Sequence, residues 1–178
     1  MTDVVHAWPA YSGGVKAPED PATPVEAAND PRILVFGRLL GAANRLEYIL
    51  ARSLEDEFGL SHSLFELMLV VGRAGTGGVP VRDIAQARVL TSGGATRLVQ
   101  RAAEQGLIER RISPEDARVQ LIELTPHGRD LLVRASALHA HNVERYLIDV
   151  LPPDQIGVFA DAIRVLSQNA AKALPVMP

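Results

Sequence analysis

Apolar positions in this chain recur with helical spacing over most of its length and switch to strand spacing only between about residues 107 and 124. From Pro31 onward, Phe36, Leu39, Ala43, Leu46 and Leu50 alternate steps of three and four, the 3.5-residue period of a helix-packing seam. Gly59-Leu60 closes that helix. Ser61 is placed to cap the next, whose apolar stripe is Leu64, Leu67, Met68 and Val71, with Ser63-x-x-Glu66 as an alternative capping box. A glycine-rich break over 72–78 and a short strand precede a short helix from Val81 to Arg88, with Ile84 and Ala85 inward. Another helix opens on Thr91-Ser92 and stops at Gly106. Two short β-patterned runs, 107–112 and 119–124, follow, joined by the charged, turn-rich 113–118. Thr125 is a fitting N-cap with Pro126 at N1, starting a long helix to about Asp149 that Pro152-Pro153 breaks. Ile156, Phe159, Ala160, Ile163 and Leu166 then mark a last amphipathic helix. No internal repeat is visible.

This order predicts a mainly α fold with a small β-wing (α+β): a winged helix-turn-helix over about 61–124, flanked by helices over 31–58 and 125–172. On a helical wheel Ser92, Gly93, Thr96, Arg97 and Gln100 share one face, while Ala95, Leu98, Val99 and Ala102 lie opposite. A helix showing hydroxyls, glutamine and arginine suits the major groove of duplex DNA, and a hairpin with an arginine at its tip suits phosphates or the minor groove. Gly93 and Gly94 cost about 1 kcal/mol each inside a helix relative to alanine. Their expected benefit is close approach of the first turn, with its free amides, to a phosphate. Arg101 extends the basic surface along the helix. On the first wing strand, Arg110 and Arg111 point to opposite faces, so one of them should look outward.

Four segments in order carry a family resemblance: Ser92-Gly93-Gly94-Ala95-Thr96-Arg97, the exit Gly106-Leu107-Ile108-Glu109-Arg110, the wing pair Asp116-x-Arg118, and the hinge Leu124-Thr125-x-x-Gly128. Together they resemble the MarR family of winged helix-turn-helix transcriptional regulators, over roughly residues 32–170. The resemblance implies a single domain over 31–172 whose terminal helices interlock with a second subunit. A two-fold dimer would place two reading helices about one DNA turn apart, ~34 Å, on a pseudo-palindromic operator. It implies that Arg118 enters the minor groove while Asp116 orients it. It also implies a small-molecule effector, often aromatic and anionic, near Arg38, Arg45, His62 and Glu66. The glycine pair and a tryptophan-bearing N-terminal extension are similar to the subgroup answering to urate and related aromatic acids. The chain departs from that subgroup at Glu66, where aspartate is usual, and at Leu98, where an arginine contributes.

Charge qualifies this picture. The net charge of −3 over 178 residues looks wrong for a partner of nucleic acid until it is divided. Between Arg73 and Arg118 eight arginines face five acids, net +3, leaving −6 elsewhere. A local arginine surface is what phosphate attraction requires. Residues 1–30, with Pro9, Pro18, Pro21 and Pro24 and a net charge of −4, predict a flexible, loosely packed arm, on which Trp8 and Tyr11 could pin it to the body.

Zero cysteines exclude a disulfide framework and sensing by thiol oxidation. No apolar run nears the ~20 residues of a membrane span, and no secretory signal is evident, so a cytoplasmic protein is expected. His139-Ala140-His141 is no metal pair, because residues i and i+2 of a helix diverge by about 200°. The glycine-rich break lacks the Lys-Ser/Thr of a phosphate-binding loop, and no nucleophile or paired-carboxylate arrangement argues for an enzyme. No cofactor is expected. Two classes remain, an effector-controlled repressor and a constitutive architectural or adaptor protein, and the arginines on both helix and wing favour DNA.

Overall fold

The computed structural model describes residues 20–174. The chain falls into two units, residues 1–48 and 49–178, with the boundary inside one long helix. In the first unit, a five-residue helix α1 (Pro24–Ala28) starts on Thr23, whose hydroxyl accepts the Glu26 amide. The Glu26 carboxylate reaches back to the Ala22 amide. This is a capping box with proline in the first turn, where no amide is needed. The described end of the expected arm is therefore structured, because the Thr23-x-x-Glu26 box outweighs the proline density around it. Trp8 and Tyr11 lie outside the described residues. The long helix α2 (Pro31–Phe58) begins on Asp30, which accepts the Arg32 backbone amide and pairs with its guanidinium. These bonds to Arg32, side chain first, hold the Asp30 carboxyl at about 2. Ile33, Phe36, Leu39 and Leu40 on this part of α2 are exposed, Phe36 at 64%. Among the described residues of this unit, these apolar side chains remain exposed.

The second unit is built around α3 (His62–Arg73). Its stripe Leu64, Leu67, Met68 and Val71 is fully buried, joined by Phe65, by Leu54 from the last part of α2 and by Leu60 just beyond its end. Around it stand β1 (Val79–Pro80), α4 (Val81–Ala87), α5 (Ser92–Glu104), β2 (Ile108–Ile112), β3 (Gln120–Leu124) and α6 (Pro126–Val143). They contribute Ile84, Val99, Ala102, Ile108, Ile122, Leu131 and Ala135 to the same core. At about 25 cal/mol per Å2 of apolar surface removed from water, each fully buried Leu, Ile or Phe here stabilises by roughly 1.5–3 kcal/mol. The sheet is antiparallel in the order β1-β3-β2. Ile108 faces Leu124, Arg110 faces Ile122 and Ile112 faces Gln120, so the alternating pattern puts Ile108, Ile122 and Leu124 on the core side. Val79 pairs with Ile122 and Pro80 with Leu121, so the two-residue β1 ties the start of α4 to the wing.

The long final helix predicted from Thr125 runs as α6 to Val143 and then widens into a π-turn, Glu144–Ile148. The last helix, α7 (Pro153–Ala173), leaves Val158, Ile163, Val165 and Leu166 exposed. No helix among the described residues is long and apolar enough to cross a membrane.

Candidate nucleic-acid interface

Three devices fix α5 on the core and turn its polar face outward. Thr91 caps it, its hydroxyl accepting the Gly94 amide at 3.2 Å. Ala95, Val99 and Ala102 are fully buried and Leu98 half-buried, as the wheel predicts. The Arg101 guanidinium donates to the Ser61 hydroxyl at 2.9 Å, tying α5 to the start of α3. Ser61 occupies the N-cap of α3 but binds none of its amides, because Arg101 holds that hydroxyl. Glu66, offered by the sequence as a capping-box partner of Ser63, is instead engaged by Arg88 and lies 3.7 Å from the His62 ring.

What remains outward is Ser92, Gly93, Thr96, Arg97 and Gln100, all exposed. The Thr96 hydroxyl donates to the Ser92 carbonyl at 2.9 Å, and the Gln100 amide donates to Glu104 at 3.0 Å. Arg97 has no recorded partner, whereas Arg101, expected on the same surface, is committed to Ser61. The two glycines separate in role. A Cβ on Gly93 would meet nothing within 4 Å, whereas one on Gly94 would lie 3.2 Å from the Thr91 hydroxyl. The expectation of free amides in this turn is corrected in part, since the Gly94 amide is taken by the cap. A groove of about 460 Å3 beside the turn is lined by Ser63, Leu90, Gly94, Arg97, Leu98 and Arg101.

The turn between α4 and α5 holds, among the described residues, the one non-glycine residue with positive φ. Val89 has φ 53°, the left-handed region, and its side chain is half exposed. The conformation lets the Leu90 amide reach the Ala85 carbonyl at 2.9 Å, closing the helix end as a glycine usually does. Arg88, one residue earlier, is anchored to Glu66 of α3, so the approach to α5 is pinned to the core helix. Sequence reading misses this pin, because nothing in the local pattern connects residues 22 apart.

On the wing, Asp116 bonds the backbone around Arg118 rather than its guanidinium: its carboxylate accepts the Arg118 amide at 2.9 Å, and its carbonyl accepts the Val119 amide at 2.9 Å. The guanidinium of Arg118 is left exposed and without a recorded partner. Of the neighbouring arginines on β2, Arg111 is paired with Glu123, and Arg110 is exposed without a recorded partner. The hinge after the wing rests on Thr125. Its hydroxyl donates to the Gly106 carbonyl at 2.6 Å and accepts the Gly128 amide at 2.9 Å, while its own amide donates to the Leu107 carbonyl.

The residues expected around an effector lie in both units. Arg38 is half-buried and Arg45 exposed on α2, and His62 and Glu66 are half-buried on α3. His62 stacks on His139 of α6 with ring centroids 6.2 Å apart, and Phe65 lies 4.8 Å from the same ring. Nδ1 of His139 is buried with no hydrogen-bond partner among the described residues. Burial first, and then the neighbouring His62, lower the His139 pKa against the opposing pull of Glu66. His141 is exposed, so the two histidines diverge as helix geometry requires. Among the described residues no group of three or more metal-ligating side chains is assembled.

A helix-turn-helix whose second helix shows a polar face, followed by a two-stranded wing, defines the class: a winged helix-turn-helix protein. Residues 58–119 match the model of the MarR family. The chain is similar to the MarR family transcriptional regulator Sco3205 from Streptomyces coelicolor, solved in complex with DNA. That likeness has 25% identity and a TM-score of 0.70, covering 77% of this chain and 89% of that one. It is also similar to CouR from Rhodococcus jostii RHA1, solved with p-coumaroyl-CoA, at 25% identity and TM-score 0.68, covering 79% and 94%. AbsC from Streptomyces coelicolor, at 20% identity and TM-score 0.70 over 83% and 95%, shares the fold. No curated protein matches the chain significantly by sequence. Over residues 58–119 and in its fold, the chain resembles the MarR family of transcriptional regulators.

Proposed function

We propose that this protein is a cytoplasmic, dimeric repressor that reads a pseudo-palindromic DNA operator and is released by a small aromatic anion. The observation that carries the DNA reading is the outward face of α5, fixed by Thr91 and Arg101 while Arg97 has no partner among the described residues. Ser92, Gly93, Gly94 and Thr96 meet the backbone and groove edge, Arg97 and Gln100 reach base edges, and Arg101 keeps the helix seated while adding positive charge. Arg118 enters the minor groove with its loop held by Asp116, and Arg110 adds a phosphate contact. The exposed apolar faces of α2 and α7 are covered by a second copy, which supplies the second reading helix. The Sco3205 complex with DNA supports the first part of this reading, and CouR with its acyl-CoA supports the ligand.

His62 and Glu66 of α3 supply charge for the effector. Glu66 already holds Arg88, so an entering carboxylate competes for that arginine and loosens the pinned approach to α5. An effector shifts DNA affinity only by its differential affinity for two protein states, and typical couplings of 1–3 kcal/mol correspond to about 5–150-fold.

The test is a gel shift on DNA flanking the protein's own gene, at two salt concentrations. With roughly six to ten phosphate contacts per dimer, affinity falls ~10³–10⁵-fold between 50 and 200 mM salt. Arg97→Ala costs about 1–3 kcal/mol and relaxes sequence preference, and Arg118→Ala weakens binding most where the flank is AT-rich. Two variants that bind like the wild type would sink the assignment. Light scattering that gives a monodisperse monomer still binding DNA would sink the dimer. A screen of aromatic acids that moves neither melting curve nor gel shift leaves a constitutive DNA binder.

A further inference from the structure

A second groove, of about 310 Å3, lies between the base of the wing and the start of α4, lined by Pro80, Val81, Arg82, Arg118, Val119 and Gln120. Two arginines 36 residues apart in sequence line it, and no carboxylate does. The pairing of Pro80 with Leu121 fixes its walls, because that register binds the segment before α4 to the strand that leaves the wing. Arg82 is 81% exposed, and its one recorded contact is a 3.3 Å hydrogen bond to the adjacent Asp83. An adjacent-residue pair this open to water is worth little and releases readily to a stronger anion. Gln120, exposed at the start of β3, lines the same groove and carries a side-chain amide able to donate.

We propose that this groove seats one phosphate of the DNA backbone, held by Arg82 from the α4 side and Gln120 from the wing, next to the minor groove that Arg118 enters. The inference rests on the DNA reading above and adds to it a contact outside both the reading helix and the wing tip. Its chemistry follows from the lining. A guanidinium and an amide donor converging on an open groove without acids recognise a phosphodiester, while the absence of an apolar enclosure disfavours an organic ligand. Such a contact is blind to base sequence. It sets how far the wing settles onto the duplex, and so how deeply Arg118 reaches.

The experiment pairs a side chain with a phosphate. The full-length wild type, Arg82→Ala and Arg118→Ala are titrated on a duplex that the wild type selects from a random pool. Each is then titrated on copies carrying one uncharged methylphosphonate at successive flanking positions. Arg82→Ala lowers the slope of log affinity against log salt by about 1 per protomer. It weakens AT-rich and GC-rich flanks alike, whereas Arg118→Ala discriminates between them. One methylphosphonate position weakens the wild type but leaves Arg82→Ala unchanged. Unchanged melting of Arg82→Ala, expected for so exposed a residue, excludes a folding defect. Wild type and Arg82→Ala losing equally at every position, with normal binding otherwise, would overturn this contact alone. A wild type that selects no duplex would overturn the DNA reading and the contact with it.

Discussion

Replacing Gly128 by alanine tests the most tightly determined joint in the structure. Gly128 lies buried in the first turn of α6, and a Cβ there would sit 1.9 Å from the Leu107 carbonyl oxygen and 2.9 Å from its carbon. Both are backbone atoms. The Leu107 amide bonds Ala102, its carbonyl accepts the Thr125 amide, and the next residue begins the β2–β3 ladder. No side chain can swing away, so α6 must lift from the wing by more than an ångström. Forced overpacking costs about 1–3 kcal/mol. Losing the Thr125–Leu107 bond adds about 1, and weakening the Thr125 cap adds about 0.5–2. A total of roughly 2.5–6 kcal/mol is a large share of the 5–15 typical of a folded protein. At about 2–4 °C per kcal/mol for a chain of this size, the midpoint falls by some 5–24 °C. Melting is followed by circular dichroism at fixed protein concentration. Gly157→Ala serves as the control of opposite sign, since a Cβ there meets nothing within 4 Å on an exposed turn of α7, and it gains up to about 1 kcal/mol. A Gly128→Ala protein melting within a degree or two of the parent would refute the close-approach argument.

Three further outcomes follow from the same geometry. Val89→Gly relieves a β-branched residue at φ 53°; the left-handed penalty of about 1–2 kcal/mol, less glycine's entropy cost of about 0.5–1, leaves a gain of up to ~1 kcal/mol, and a lower melting point would contradict it. Gly93→Ala raises stability by about 0.5–1 kcal/mol, because its Cβ enters open space, yet weakens DNA binding; an alanine variant that bound as well as the parent would remove the phosphate-approach role of that glycine. His139, held neutral by burial and His62, has a folded pKa below its unfolded value near 6.5, so the unfolded chain binds more protons in acid. Stability contributed by the neutral ring is complete above that pH and is lost as pH falls below it towards the folded value. The melting point therefore drops between pH 7.5 and 5.5 in the wild type and drops less in His139→Gln; equal slopes would show that the ring carries no such linkage.

Local chemistry was enough to write the element order from Pro31 on, the buried stripes of α3 and α5, the Thr125 cap and the wing. Each depends on periodicity or on a cap within three residues of its partner, and such interactions are decided along the chain. The hinge Leu124-Thr125-x-x-Gly128 was legible as a motif, but its reason was not: Gly128 is required by a carbonyl 21 residues earlier, which only the folded joint brings against it. The same holds for which charges stay available. Sequence put Arg97 and Arg101 on the reading helix and left open which of Arg110 and Arg111 faces outward. Tertiary packing assigned Arg101 to Ser61 and Arg111 to Glu123, leaving Arg97 and Arg110 open. Asp116 bonds the Arg118 amide rather than its guanidinium, and Arg82 joins Arg118 only because β1 is zipped to β3. A guanidinium takes whichever acceptor lies within about 3 Å. Periodicity tells which face a residue occupies, but folding decides which distant oxygen stands across from it.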